Sequence, residues 1–278
     1  MPQIIDAHHH LWDLTKFDYP WIAPEWTQLR RNQLPADLKR EIDAAGVDRT
    51  VLVQTQHSLD ETRWFLDLAE ANDFIAGVVG WVDLTDPALD RVIDEFASRP
   101  KLVGIRHVTQ DEPDVNWIVR EDVLRGLSIL DKRGLAFDLL FFPQHLRHAP
   151  ALARRFPNLR MVIDHLAKPP IKTGKLSGWD ADLRSAAQHP NIYCKLSGMI
   201  TEADWRNWTP ADLKPFIAHA IDCFGFDRLM FGSDWPVCLL AGSYQQTLDA
   251  LRQATGPLSL SEQNQLLGLT ATRFYGLE

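Results

Sequence analysis

Residues 75–108 read IAGVVGWVDLTDPALDRVIDEFASRPKLVGIRHV, and the fold turns on this stretch. Two β-branched runs, IAGVVGWVDL and KLVGIRHV, flank a segment in which Leu89, Val92, Ile93 and Phe96 recur at i, i+3, i+4 and i+7, the spacing of one helix face. Asp86 can cap such a helix and Pro87 suits its first position, so a helix is predicted over 87–99. Strands apolar on both faces, joined through a helix, indicate parallel strands covered by helices.

The same unit repeats along the chain in both directions. Strands are also predicted at QIIDAHHHL, RTVLVQTQ, LAFDLLFF, RMVIDHLA, NIYCKLSGM and RLMFGSDW, and helical patterns start near Pro35, Asp60, Glu121, Pro143, Gly178, Thr209, Tyr244 and Ser261. Eight strands alternating with helices, without a linker-like break, predict a single (β/α)8 TIM barrel over residues 1–278. A doubly wound open sheet is the competing α/β architecture, but nothing resembling GxGxxG follows an early strand. In a barrel the chemistry belongs at the C-terminal ends of the strands, where the polar residues of these segments gather. The long connection 11–48 is rich in Trp and Pro (FDYPWIAPEW). It either folds over the barrel mouth as a lid or packs against the flank.

Composition narrows the function. With 45% hydrophobic and 24% charged residues in 278, the chain has the profile of a soluble globular protein. A net charge of -8 argues against a nucleic-acid partner. The N-terminus lacks a basic and then apolar leader, and LAFDLLFF is far too short to span a bilayer, so a cytoplasmic protein with no membrane partner is expected. Cys194, Cys223 and Cys238 are odd in number and widely spaced, which predicts reduced thiols rather than a disulfide framework or a CxxC zinc site. Oligomeric state is left open by the sequence.

In DAHHHLW strand alternation puts Asp6, His8 and His10 on one face and turns His9 away. An imidazole pair at i, i+2 on a strand suits zinc or a similar divalent ion, with further ligands from other strands. VIDHLAKPP places His165 at the end of the sixth strand and FGSDWP places Asp234 at the end of the eighth. Barrel closure would set Asp234 beside His8 and His10. The alternatives are a core histidine bonded to backbone for His165 and an N-cap or turn aspartate for Asp234, and both weaken because these groups sit where a barrel keeps its chemistry.

DAHHHLW, VLVQ, GWVDL, GIRH, VIDHLAKPPIK, YCKLSG and FGSDWP, in this order, resemble the amidohydrolase superfamily, and within it the lactone-hydrolysing branch known as amidohydrolase 2. The likeness runs from residue 4 to the C-terminal LLGLTATRFYGL and is strongest to sugar lactonases. It implies a (β/α)8 barrel and water-dependent opening of a sugar lactone such as L-fuconolactone. It makes His8 and His10 the HxH pair, His165 the later histidine and Asp234 the aspartate that deprotonates water. Binuclear members carry a lysine or glutamate on the fourth strand and a histidine on the fifth; here those strands read GIRH and LAFDLLFF, so a binuclear centre is not expected. The branch includes lactonases thought to work without a metal, so a requirement for the ion stays open. An asparagine common near the family's C-terminus is Thr270 here.

A lactone is an activated ester, and its hydrolysis needs a positioned base and stabilisation of the oxyanion. Asp234 is the expected base, with His8, His10 and His165 either holding one divalent ion or donating hydrogen bonds. Arg106, ending the fourth strand, is the expected contact to the carbonyl or ring oxygens, with a barrel-rim salt bridge as its alternative; His107 should face away. Gln54, Asp138, Lys195 and Ser197 are candidate hydroxyl binders. Trp21, Trp26, Trp117, Trp205, Trp208 and Trp235 could stack on the apolar face of a sugar or simply fill space. Only Arg106 and Lys195 stand out as strand-end cations, which favours a neutral polyol lactone over a dicarboxylate lactone. Two other readings share these residues: a metal-dependent decarboxylase of aromatic acids, and a non-catalytic sugar-binding barrel.

Overall fold

The computed structural model describes residues 3–176 and 178–277. Its eight strands are β1 (Ile5–His9), β2 (Arg49–Val53), β3 (Ile75–Gly80), β4 (Leu102–His107), β5 (Ala136–Leu139), β6 (Met161–Ile163), β7 (Ile192–Leu196) and β8 (Leu229–Phe231). Each pairs in parallel with the next, in chain order. The ring closes where the Asp234 N–H donates to the His8 carbonyl (2.8 Å) and the His10 N–H to the Trp235 carbonyl (2.7 Å). The fold is the (β/α)8 barrel that the alternation predicts.

Helices α1 (Pro35–Ala45), α2 (Leu59–Ala71), α3 (Leu89–Asp94), α4 (Glu121–Arg133), α5 (Ala149–Arg155), α6 (Trp179–Ala187), α7 (Pro210–Phe224) and α8 (Tyr244–Thr255) surround the strands, and α9 (Leu260–Asn264) and α10 (Thr270–Tyr275) follow. Local sequence sets their starts. Ser58 Oγ accepts from the Glu61 N–H (3.1 Å) at α2, and Asp212 accepts from the Thr209 N–H (2.7 Å) at α7, each satisfying a terminal donor. The helix expected over 87–99 is shorter than predicted. Beyond Asp94 the chain tightens into i→i−3 turns, Ala97 to Asp94 and Arg99 to Phe96, ahead of Pro100, although Phe96 is still buried.

Leu52, Val78, Phe137, Ile163, Leu196 and Phe231 pack outward against the helices. The barrel interior is filled by Val51, Val53, Val79, Val162 and Met230, and Phe274, Tyr275 and Leu277 from the C-terminal segment pack onto the same cluster. No helix among the described residues is long and apolar enough to cross a membrane, and Cys194, Cys223 and Cys238 are free thiols. Thr270 donates to the Phe226 carbonyl (3.0 Å), a local structural role.

Two expectations about the first strand and its loop change. Asp6 does not share a face with His8 and His10: it points out to the Ser233 N–H (2.8 Å) and the Tyr244 hydroxyl of α8 (2.9 Å), while Ala7 joins the inner cluster. The pairing with β2 shifts register between Asp6 and His9, and such a bulge interrupts side-chain alternation. Burial moves the Asp6 carboxyl up to about 6, against the pull of its hydrogen-bond donors. In the long connection, residues 35–45 are α1 of the barrel ring. The remainder folds on an aromatic cluster of its own, Trp12, Tyr19, Ile22 and Leu29, pinned by the Trp12 indole N–H to the Leu29 and Arg31 carbonyls (3.1 and 2.9 Å). It reaches over the mouth, where Pro20, Trp21 and Trp26 line the cavity.

Candidate active site

A cavity of about 690 Å³ opens at the C-terminal ends of the strands, with His10, Arg106, His165, Lys168 and Asp234 in its lining. Four atoms converge there. His10 Nε2 lies 3.2 Å from His8 Nε2 and 3.3 Å from Asp234 Oδ1, and that carboxylate oxygen lies 3.9 Å from both His8 Nε2 and His165 Nε2. His9 turns away, as alternation requires, to the Thr50 hydroxyl (2.9 Å).

Hydrogen bonds behind these rings fix their orientation and, for His10, the tautomer. His10 Nδ1 faces the Val53 carbonyl at 2.8 Å, an acceptor, so Nδ1 carries the proton and Nε2 is bare. His8 lies between two donor-only cations, Arg106 Nη1 at its Nε2 (3.3 Å) and the Lys195 ammonium at its Nδ1 (3.1 Å), with Asp164 Oδ1 also 3.3 Å from Nδ1. Burial holds His8 well below its usual value and moves His165 down to about 4, so both rings are neutral near pH 7. Burial alone would raise the Asp234 carboxyl, but His165, His10 and Lys168 outweigh it and hold the group below the ordinary carboxylate range. Bare imidazole nitrogens around an ionised carboxylate form a cluster of acceptors short of a cation. Their 3.2–3.9 Å separations approach the ~3.3 Å edges that a tetrahedral ion with 2.0–2.1 Å bonds requires. His8, His10 and Asp234, whose ligand atoms lie within 4.8 Å of one another, therefore fit a single divalent ion, with Arg106 competing for the His8 lone pair, while His165 groups instead with His8 and Asp164.

His165 and Asp234 both stand on unusual backbone. Residues His165, Leu166, Ala167 and Lys168 have φ of 52°, 56°, 56° and 53°, and Asp234 has φ of 57°. A left-handed run without glycine costs of order 1 kcal/mol or more per residue and persists where the surroundings hold it in place. It ends β6 abruptly, which lifts His165 and Lys168 to the cavity while Asp164 stays beneath. Ser197 hydrogen-bonds His165 Nδ1 (2.8 Å), and Gly198, at φ 60°, leaves room for the ring: a Cβ there would lie 2.6 Å from His165 Nδ1. Gly198→Ala is expected to displace His165 and lower kcat by about 10²-fold, the cost of a misplacement near 1 Å. Steady-state kinetics on folded variant checks this; wild-type kcat would show that His165 placement is immaterial.

Several predicted substrate contacts lie below the cavity instead. Lys195 and Asp138 are fully buried and paired at 2.6 Å, with the Tyr275 hydroxyl donating to Asp138 (2.8 Å) and Lys195 3.0 Å from Asp164. Gln54 is sealed as well, its amide donating to the Arg106 carbonyl (3.1 Å). These three are corrected from hydroxyl binders to the polar floor that holds the site, because none reaches the open volume. Arg106 lines the cavity as expected of a strand-end contact; its two Nη atoms bond Asp164 (3.0 Å), the Gln54 carbonyl and His8, and its Nε has no partner among the described residues. His107 faces away from the cluster, stacked on Trp117. Of the mouth tryptophans, Trp21 and Trp26 face the cavity, Trp117 and Trp235 are buried, Trp208 donates to the Ala241 carbonyl (2.8 Å), and Trp205 packs against Trp26.

Two residues of the site escape a reading by strand ends. Asp164, one residue before the strand-end His165, is central: burial would raise its carboxyl, but Lys195, His8 and Arg106 hold it well below the usual range. Lys168 lines the cavity with no ion-pair partner among the described residues, its ammonium 5.4 Å from the Phe142 ring. The following Pro169-Pro170, which cannot continue a right-handed helix, is the only sequence signal of that turn.

The family model described as Amidohydrolase matches residues 5–277. An L-fucono-1,5-lactonase of Burkholderia ambifaria is 41% identical over 243 residues, 86% of this chain and 82% of that protein. An L-fucono-1,5-lactonase of Burkholderia multivorans is 39% identical, over 98% of this chain and 96% of that protein. A crystal structure of an amidohydrolase from Burkholderia multivorans with bound zinc superposes with a TM-score of 0.94 at 37% identity, covering 99% of this chain and 100% of that one.

Proposed function

The chain belongs to the amidohydrolase family, and from that premise we propose that it is a lactonase that opens neutral sugar lactones such as L-fuconolactone, with Asp234 as general base. The observation that carries the reading is the meeting of three imidazoles and one ionised carboxylate at the base of a cavity walled by Trp21 and Trp26. The substrate is a small molecule. Among the described cavity residues Lys168 is the one lysine or arginine side chain without an anionic partner, too few for a dicarboxylate. The aromatic rings suit the apolar face of a sugar.

Asp234 takes a proton from water as the oxygen attacks the lactone carbonyl carbon. Lys168 is placed to donate to the oxyanion that develops there. When the tetrahedral adduct collapses, the bond from the acyl carbon to the ring oxygen breaks, and Asp234 returns its proton to the departing alkoxide. The Asp234 N–H bond to the His8 carbonyl holds the carboxylate at the cavity floor, and Asp164, Lys195 and Arg106 hold the His8 ring from behind. His8, His10 and Asp234 would hold one divalent ion, zinc by its nitrogen and oxygen donors. When bound, it would polarise water or the carbonyl. We also infer that residues 1–278 act as one catalytic domain, in a cytoplasmic, catabolic setting that its free thiols suit.

A panel of neutral aldonolactones and anionic lactones, followed by acid release with and without a chelator, tests the reading. Turnover of neutral lactones is expected, with about one equivalent of zinc on the untreated protein. Activity confined to anionic lactones would overturn the substrate class.

A further inference from the structure

Three groups at the mouth, His57, His107 and Glu112, hold ligand-type atoms within 4.8 Å of one another, and the first and last line the cavity. A metal is not what they serve, because both histidines have spent their lone pairs. The Val108 N–H donates to His57 Nε2 (3.1 Å), and the Trp81 indole N–H donates to His107 Nδ1 (3.2 Å). Indole nitrogen can only donate, so His107 carries its single proton on Nε2. That N–H points at Glu112 Oε1, 2.7 Å away.

The rings are fixed as firmly as the proton. His57 stacks on His107 with centroids 4.0 Å apart, and His107 on Trp117 at 3.8 Å; Trp81 lies nearly parallel to His57 at 5.4 Å. Burial keeps both histidines near 4, so the stack is neutral at physiological pH. One Glu112 oxygen is thus tethered by a locked N–H, and the residue still borders the open volume.

We propose that the Trp81–His107–Glu112 chain holds the Glu112 carboxylate as a fixed acceptor for a hydroxyl on the lactone ring, making Glu112 a specificity-determining residue for polyhydroxylated neutral substrates. Trp81 and His107 are positioning residues. A carboxylate at this place accepts from a neutral hydroxyl and repels an anionic lactone. The inference deepens the lactonase reading and rests on it for the substrate class, while the hydroxyl contact is testable without turnover.

Calorimetric binding of a sugar δ-lactam, a neutral non-hydrolysed ring analogue, and of unsubstituted δ-valerolactam separates the two. The affinity ratio of sugar lactam over valerolactam is expected to fall about 10- to 100-fold in Glu112→Gln, the range for a hydrogen bond to a charged group. Trp81→Phe, which frees the His107 proton to change nitrogen, should lower the same ratio by a smaller factor. An unchanged ratio in Glu112→Gln overturns the proposal, as does wild-type protein that prefers neither lactam. Wild-type protein that binds the sugar lactam but hydrolyses no lactone would instead sink the enzymatic reading and leave the acceptor role standing or falling on the ratio.

Discussion

Asp234→Asn is expected to lower kcat on a neutral sugar lactone by about 10³- to 10⁴-fold, the upper part of the range for losing a positioned acid–base group. The substitution is almost isosteric and keeps the backbone tolerable, because asparagine, like aspartate, accepts the left-handed region, here φ 57°. What it removes is the anion at 3.3 Å from His10 Nε2 and 3.9 Å from His165 Nε2. An amide can neither take the proton of water nor return it to the alkoxide. Thermal unfolding of the variant should match wild type, so that lost turnover reports chemistry rather than folding. If Asp234→Asn keeps more than about a tenth of wild-type kcat, the base lies elsewhere, since general-base roles contribute at least about 10²-fold.

The barrel was legible because its eight β-branched runs are each too short and too apolar for anything but a covered parallel sheet, and RMVIDHLA and RLMFGSDW put His165 and Asp234 at strand ends without ambiguity. Alternation failed at Asp6, where a bulge that no residue type announces turns the carboxylate out toward Tyr244. It failed again after Ile163, where four left-handed residues carry Lys168 into the cavity. Gln54, Asp138 and Lys195 show a different limit. A polar residue near a strand end reads the same whether it meets substrate or a buried counter-charge, and only the interior geometry tells the two apart. Glu112 lies on a loop with no periodicity to place it, and its tie to His107 and Trp81 joins segments 31 residues apart in number and adjacent only in space.

Lys195→Met should destabilise the fold by about 3–5 kcal/mol, the cost of removing one partner from a buried ionic network. For a chain of this size that corresponds to a melting temperature lower by about 10 °C. The Lys195 ammonium is fully buried and lies 2.6 Å from Asp138, 3.0 Å from Asp164 and 3.1 Å from His8 Nδ1. With it gone, Arg106 is the remaining cation for two buried carboxylates. Asp138 is already raised to about 6, burial outweighing the pull of Lys195, and without the ammonium it moves higher and takes up a proton near neutral pH. A carboxyl whose folded pKa exceeds its unfolded value contributes stability at low pH and loses it as pH rises through the folded pKa. The variant should therefore be closer to wild type at pH 5.5 than at pH 7.5. Adding Asp138→Asn, which supplies a neutral group at the same place, should recover part of the loss and flatten that pH dependence. Calorimetric melting of the single and double variants across this range decides it: a Lys195→Met loss below about 1 kcal/mol, or one that grows as pH falls, would mean that the ammonium does not hold the floor of the site together.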